Sequence, residues 1–189
     1  MANNKVKFGL SNCVMAVLTE NNGAITYGSP ISVPGAVNLS LEPQGDTTDF
    51  YADNYVYFSA SANQGYEGDL EIALIPDAIR TAIMGETLDT NGAYVETSKD
   101  TMKNFAFGFQ IEGDAKGRRY WYYNCSLNRP TTASATIEAS KEPQTETLTI
   151  KAMPRSTDKL VRIFIEKTDD NTAVYNSFLS SVYETPTSI

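Results

Sequence analysis

Apolar and polar residues alternate with a period of two over much of the chain, the pattern of half-buried β-strands. Strands are predicted at Tyr51 to Ser61, Asn104 to Glu112, Arg118 to Leu127, Thr145 to Met153 and Lys159 to Glu166. In Thr145-Glu146-Thr147-Leu148-Thr149-Ile150-Lys151 the odd positions are polar and Leu148 and Ile150 face the other way. Arg118-Arg119-Tyr120-Trp121-Tyr122-Tyr123 is dense in aromatics, which suit a pleated surface. Gly113-Asp114-Ala115-Lys116-Gly117 joins two such runs as a hairpin turn. Shorter strands are predicted at Val6 to Leu10, Cys13 to Thr19 and Gly35 to Leu41, punctuated by Asn, Gly and Pro.

The period becomes helical in two places. At about 76–84, Ile75, Ile79, Ile83 and the adjacent Ala82 form one apolar stripe. Pro76 suits the first helical position, Asp77 the positive end of the dipole, and Gly85 a C-terminal cap. This helix is expected to cover a sheet face. At about 172–183, Tyr175, Phe178, Leu179 and Val182 have i, i+3, i+4, i+7 spacing, with Thr172 available as a cap and Pro186 just beyond. Asp169-Asp170-Asn171 reads as a linker, dividing a β-domain at 1–166 from an arm or short helix at 167–189. So short a helix is marginal alone, so it should dock on its own domain or on a neighbouring subunit. Thr131 to Ser140 is a small, polar stretch.

Composition narrows the chemistry. A 189-residue chain that is 41% hydrophobic can bury a core. It holds no histidine, the commonest general base and metal ligand. The formal net charge of −8 repels phosphate, which disfavours a nucleic-acid reader but not a conduit. Cys13 and Cys125 are too few for a disulfide framework and read as reduced and structural. The first residues lack the apolar core of a signal peptide, and no apolar run approaches the roughly 18 residues of a membrane span, so synthesis in the cytoplasm is expected.

Two clusters invite chemical readings. Glu42, Asp46, Asp49 and Asp53 could supply a glycosidase pair or calcium ligands, but Asp46-x-x-Asp49 is not a calcium-loop spacing. A solvated face or an assembly contact is the simpler reading. Tyr120 to Tyr123 could be a stacking platform, but adjacent strand residues point to opposite faces, so core and interface packing is expected. No phosphate loop, nucleophile elbow or metal-spaced cysteine pair is present. No catalytic residue, cofactor or metal is therefore expected.

A longer string of residues carries a resemblance. Val33-Pro34-Gly35-Ala36-Val37-Asn38-Leu39-Ser40-Leu41-Glu42-Pro43-Gln44-Gly45-Asp46 leads into Phe50-Tyr51-Ala52-Asp53-Asn54. Gly65-Tyr66-Glu67-Gly68-Asp69-Leu70-Glu71-Ile72 and Ile75-Pro76-Asp77 follow, then Phe105 to Asp114, Gly117-Arg118-Arg119-Tyr120, Tyr123-Asn124-Cys125 and Asn128-Arg129-Pro130. In this order they resemble the major tail proteins of siphophages of low-GC Gram-positive bacteria, over about Lys5 to Arg155. No single motif carries the likeness; ordered coverage does.

The resemblance implies a mainly β fold, a tail-tube β-sandwich or partly rolled barrel with a flanking helix. It implies homohexameric rings stacked into a hollow tube in the virion. Its partners would be further copies, a tape-measure protein and a tail terminator, with DNA passing the lumen unbound. Rings need contacts that close, and stacks need contacts that propagate. Glu42 to Asn63 is the candidate hairpin or loop for such contacts, through Glu42, Asp46, Asp49, Phe50, Tyr51, Asp53 and Asn54. Asp169 to Ile189 is the candidate second arm, through Tyr175, Phe178 and Leu179. The alternatives are a tail terminator, a capsid decoration protein or a carbohydrate-binding β-module; a hydrolase is the weakest.

Overall fold

A computed structural model describes residues 3–136 and 143–186. Parts of two predicted segments, 137–140 of the polar stretch and 187–189 of the C-terminal arm, lie outside the described residues.

The chain is mainly β. In order come β1 (Lys7–Asn21), β2 (Ala24–Tyr27), β3 (Ile31–Ser32), β4 (Ala36–Gln44), β5 (Thr47–Ala52), β6 (Tyr55–Ser61) and β7 (Gly65–Ile72). A short helical segment follows, then β8 (Thr87–Leu88), β9 (Tyr94–Val95), β10 (Phe105–Gly113), β11 (Arg118–Leu127), β12 (Glu146–Met153) and β13 (Arg162–Glu166). The principal sheet is antiparallel and runs β2-β1-β10-β11-β12-β7-β4. β13 shares the edge of β11 with β12, and β3 pairs β1. β4 also approaches β1, so the sheet curls towards closure around one core.

Alternation places that core. Phe105, Phe107 and Phe109 on β10 point inward with Tyr122, Leu148, Ile150, Leu70 and Ile72. Ala106 and Trp121 point to the other face, beneath the C-terminal segment. The strand at Arg118–Leu127 has the predicted bounds, and its four consecutive aromatics divide between the two faces as predicted: Tyr120 and Tyr122 inward, Trp121 outward.

Several elements differ from expectation, three of them in this part of the fold. Val6 to Leu10 and Cys13 to Thr19 belong to one strand, with register shifts between Phe8 and Leu10 and between Ser11 and Val14. Left-handed Gly9 (φ 72) and Asn12 (φ 52) absorb the extra residues, so the alternation changes phase. Tyr51 to Ser61 is two strands, because Asp53 and Asn54 (φ 52 and 66) make a two-residue hairpin turn. The segment at 76–84 is helical, with Ile75, Ile79 and Ile83 buried as the stripe predicted. However, Pro76 is the cap with extended backbone. Only α1 (Asp77–Ile79) is α-helical, and Arg80–Met84 winds as a π-helix ending at Gly85 (φ 84). The wider turn lets Ile83 and Met84 both reach the core.

The seat of β4 on β7 depends on Gly68, which carries no side chain where the strands close. A Cβ there would lie 1.9 Å from the Ser40 carbonyl oxygen and 3.0 Å from Leu41 Cα. Gly68→Ala is therefore expected to cost about 3 kcal/mol or more, beyond ordinary overpacking because backbone must move. Urea unfolding followed by circular dichroism measures it, and an unchanged midpoint refutes the packing account.

Candidate assembly surface

The β5–β6 hairpin stands apart from the main sheet. Its strands pair only with each other, and it joins the sheet through β4 and β7. Two backbone bonds brace its base, Ala62 N–H to Asp46 O at 3.0 Å and Gln64 N–H to Gln44 O at 2.9 Å. Above that base every residue of β6 is exposed. Phe50 and Phe58 face each other across the ladder at 60% and 62% exposure. Tyr51, Tyr55, Val56 and Tyr57 are also open to solvent, and the Tyr55 and Tyr57 rings lie 5.9 Å apart.

An isolated two-stranded hairpin is marginally stable in water. One that also exposes six large apolar side chains has the character of a contact surface waiting for a partner. Aromatic residues are enriched at the energetic centres of interfaces for the same reason.

The predicted site residues of this segment fall along it. Glu42 lies on β4, Asp46 at the base, Asp49, Phe50 and Tyr51 on β5, and Asp53 and Asn54 at the tip. Extended strands rise about 3.3 Å per residue, so the carboxylates from Glu42 to Asp53 spread over roughly 35 Å. They are strung along the hairpin and do not converge; no group of three or more potential metal ligands forms among the described residues. The sequence reading missed Tyr55, Val56, Tyr57 and Phe58. Four consecutive apolar residues resemble a strand buried on both faces, yet here both faces are open.

The C-terminal candidates behave differently: of the two dockings expected, the one on their own domain is seen. Tyr175 and Phe178 are 5% and 2% exposed, and Leu179 packs beside them. Their helix, α2 (Thr172–Ser177), ends six residues earlier than predicted. The chain then runs back along the outer face of the sheet. Trp121 Nε1–H donates to Phe178 O at 2.7 Å, and the Tyr123 hydroxyl donates to Tyr183 O at 2.7 Å. Arg119 donates to the Tyr175 and Asn176 carbonyls and lies over the Tyr175 ring. These side chains are spent on their own domain, so the segment is a docked clasp.

Arg155 fastens the clasp. It is buried, rests over the Tyr123 ring, and pairs with Asp158 at 2.5 Å and with both oxygens of Glu184 at 2.7 and 2.9 Å. The Arg155 hydrogen bond holds the Asp158 carboxyl below its ordinary range, and the Leu160 N–H adds to this. A carboxyl depressed in the folded state stabilises above its unfolded pKa of about 3.9 and loses that contribution as pH falls through its folded value. Asp158→Asn should therefore flatten the acid limb of the stability profile below about pH 4 and leave its slope near neutrality unchanged; an unaltered acid limb refutes this role.

Cys13 and Cys125 are free and buried. Burial pushes the Cys13 thiol up to about 12 and raises that of Cys125 as well. Thiolate is the reactive form. A chromogenic disulfide reagent at pH 8 should label under about a tenth of the thiol in the native protein within minutes, and both cysteines in denaturant. Rapid native labelling contradicts this.

No helix among the described residues is long and apolar enough to cross a membrane. No protein-family model matches the chain, and no curated protein matches it in sequence.

Proposed function

We propose that the chain is a structural subunit of a phage tail tube, not an enzyme, and that it assembles into stacked hexameric rings forming a conduit for DNA. One observation carries the assembly role: the β5–β6 hairpin, which offers Phe50 and Phe58 to solvent on a scaffold too small to stand alone. The tail-tube identity comes from the ordered resemblance between Val33 and Pro130. A curled antiparallel sheet with a short helical segment on its flank is compatible with it.

The transport role is passive. Duplex DNA carries one charge per about 1.7 Å of axis. A bore formed by chains each bearing −8 is expected to repel phosphate, so that DNA slides and is not gripped. The partners in this role are further copies of the chain, a tape-measure protein and a tail terminator, with the virion as the final location after synthesis in the host cytoplasm.

Negative-stain electron microscopy of the concentrated protein tests it. Tubes or stacked rings of uniform bore are expected. Single rings that never stack would transfer the chain to a terminator role. A glycan-binding monomer at every concentration would overturn assembly and favour a carbohydrate-binding module.

A further inference from the structure

We infer that the hairpin of one copy seats in a basic, aromatic-floored groove on another copy, where the stretch leading into β1 lies beside β10 and β11. The inference rests on the assembly role proposed above and names the acceptor for it.

The groove has a volume of about 210 Å³ and is lined by Lys5, Val6, Lys7, Ile111, Arg118 and Tyr120, with Asn4 and Glu112 beside them. That is below the roughly 300–1,000 Å³ of small-molecule sites, but its floor extends onto open surface. Phe164 stacks on Tyr120 at 5.5 Å, carries Arg118 over its ring at 5.8 Å, and is half exposed. Val6 and Phe8 on the neighbouring stretch are also exposed. Large apolar side chains gather at the surface here as they do on the hairpin, and here the rim is cationic.

Charge is divided along the chain in the complementary sense. None of the 15 Lys and Arg lies between Lys7 and Arg80, whereas nine of the 23 Asp and Glu do. The hairpin and its base therefore carry Glu42, Asp46, Asp49 and Asp53 with no internal cation. In the groove, the nearby acids are already engaged. Asp114 accepts from the Lys5 N–H at 2.8 Å, Glu166 pairs with Arg118 at 2.5 Å, and Glu112 accepts from Gln110. Lys5, Lys7 and Lys116 make no salt bridge among the described residues. An acidic aromatic hairpin thus meets a surface with exposed aromatic floor and uncommitted ammonium groups, and opposite potentials set the register of such a contact.

The contact is heterologous, because donor and acceptor are different surfaces of one chain, so it can close a ring or propagate a stack. Nucleic acid is the other chemistry a cationic groove could take. The apolar floor and the acids at its edge favour protein.

Charge exchange in the full-length chain tests this. Lys5→Glu/Lys7→Glu and Asp46→Lys/Asp49→Lys are each expected to raise the critical concentration for assembly about tenfold or more by sedimentation, with thermal melts of the monomer unchanged. The chain carrying all four substitutions is expected to return to within about threefold of wild type. If wild type assembles and the double variants assemble equally well, or the fourfold variant shows no rescue, the groove is not the acceptor and the tube role stands without it. If wild-type groove lysines retain duplex DNA and their loss leaves assembly intact, the groove is a phosphate site and the inference falls. Wild type that stays monomeric at all concentrations overturns the assembly role and this docking together.

Discussion

Replacing Phe50 and Phe58 together by serine is expected to abolish assembly while leaving the folded monomer as stable as wild type. Both rings are about three-fifths exposed and pair across an isolated hairpin, so the monomer gains little from them. Covered by a neighbour, each aromatic side chain contributes about 1.5–3 kcal/mol. Loss of two per contact amounts to a weakening of roughly two to four orders of magnitude at 1.4 kcal/mol per decade. Truncation costs concentrate on a few aromatic anchors, which makes this pair more informative than any charge on the rim. The measurement is the sedimentation profile across a concentration series, with circular dichroism as the control for folding. Tubes of ordinary length from the doubly substituted chain would remove the hairpin from the assembly contact.

The second large effect falls on stability. Trp121→Ala is expected to cost about 3–5 kcal/mol, the range for truncating a buried large aromatic. Trp121 is fully buried among Ala106, Phe178 and Leu179, and its indole N–H satisfies the Phe178 carbonyl. The space it fills exists because Gly108 has no side chain: a Cβ there would lie 2.9 Å from the indole ring. Domains of this size shift by about 2–4 °C per kcal/mol, so Tm should fall by roughly 10 °C. Trp121→Phe keeps most of the ring and loses the hydrogen bond, and should cost only about 1–2 kcal/mol. Both are best measured in the Phe50→Ser/Phe58→Ser background, so that association does not contribute to apparent stability. Limited proteolysis should cut the alanine variant after β13, where the clasp comes away. A Tm within about 2 °C of the parent would show that the outer face contributes little.

Much of the fold could be read where one alternation persists. β11 and β12 emerged at nearly their true bounds, since Leu148 and Ile150 are buried while Thr147 and Lys151 are not. Reading failed where backbone changed the phase. Gly9 and Asn12 split β1 into two apparent strands, and Asp53-Asn54 hid a turn inside an apparently single one. Asn22-Gly23, with φ of 49 and 78, turns β1 into β2, although the predicted strand stopped at Thr19. β7 was not predicted as a strand, because Gly65, Gly68 and the acids between them weaken its apolar signal. The hairpin could be located as polar and turn-rich, but its aromatic half could not, because exposure depends on what lies beside it. For the C-terminal segment, helical spacing marked Tyr175 and Phe178 as apolar. Only tertiary contact, of Phe178 with Trp121 and of Tyr175 with Arg119, shows that they face inward.

The pairing of β1 with β10 joins Lys7 to Gly113 and Leu10 to Ile111, across about half the chain. Such distant contacts make folding slow, on the scale of milliseconds to seconds, whereas a short hairpin closes in about 1–10 μs. The β5–β6 hairpin is local and can form before the sheet is complete. The groove cannot, since Lys7, Ile111 and Arg118 come together only once β1, β10 and β11 are aligned. In the docking inferred above, an unfinished chain could thus insert into a neighbour but could not receive one. At a growing end it would act as a chain terminator, so the length distribution of the polymer should record how quickly its subunits mature.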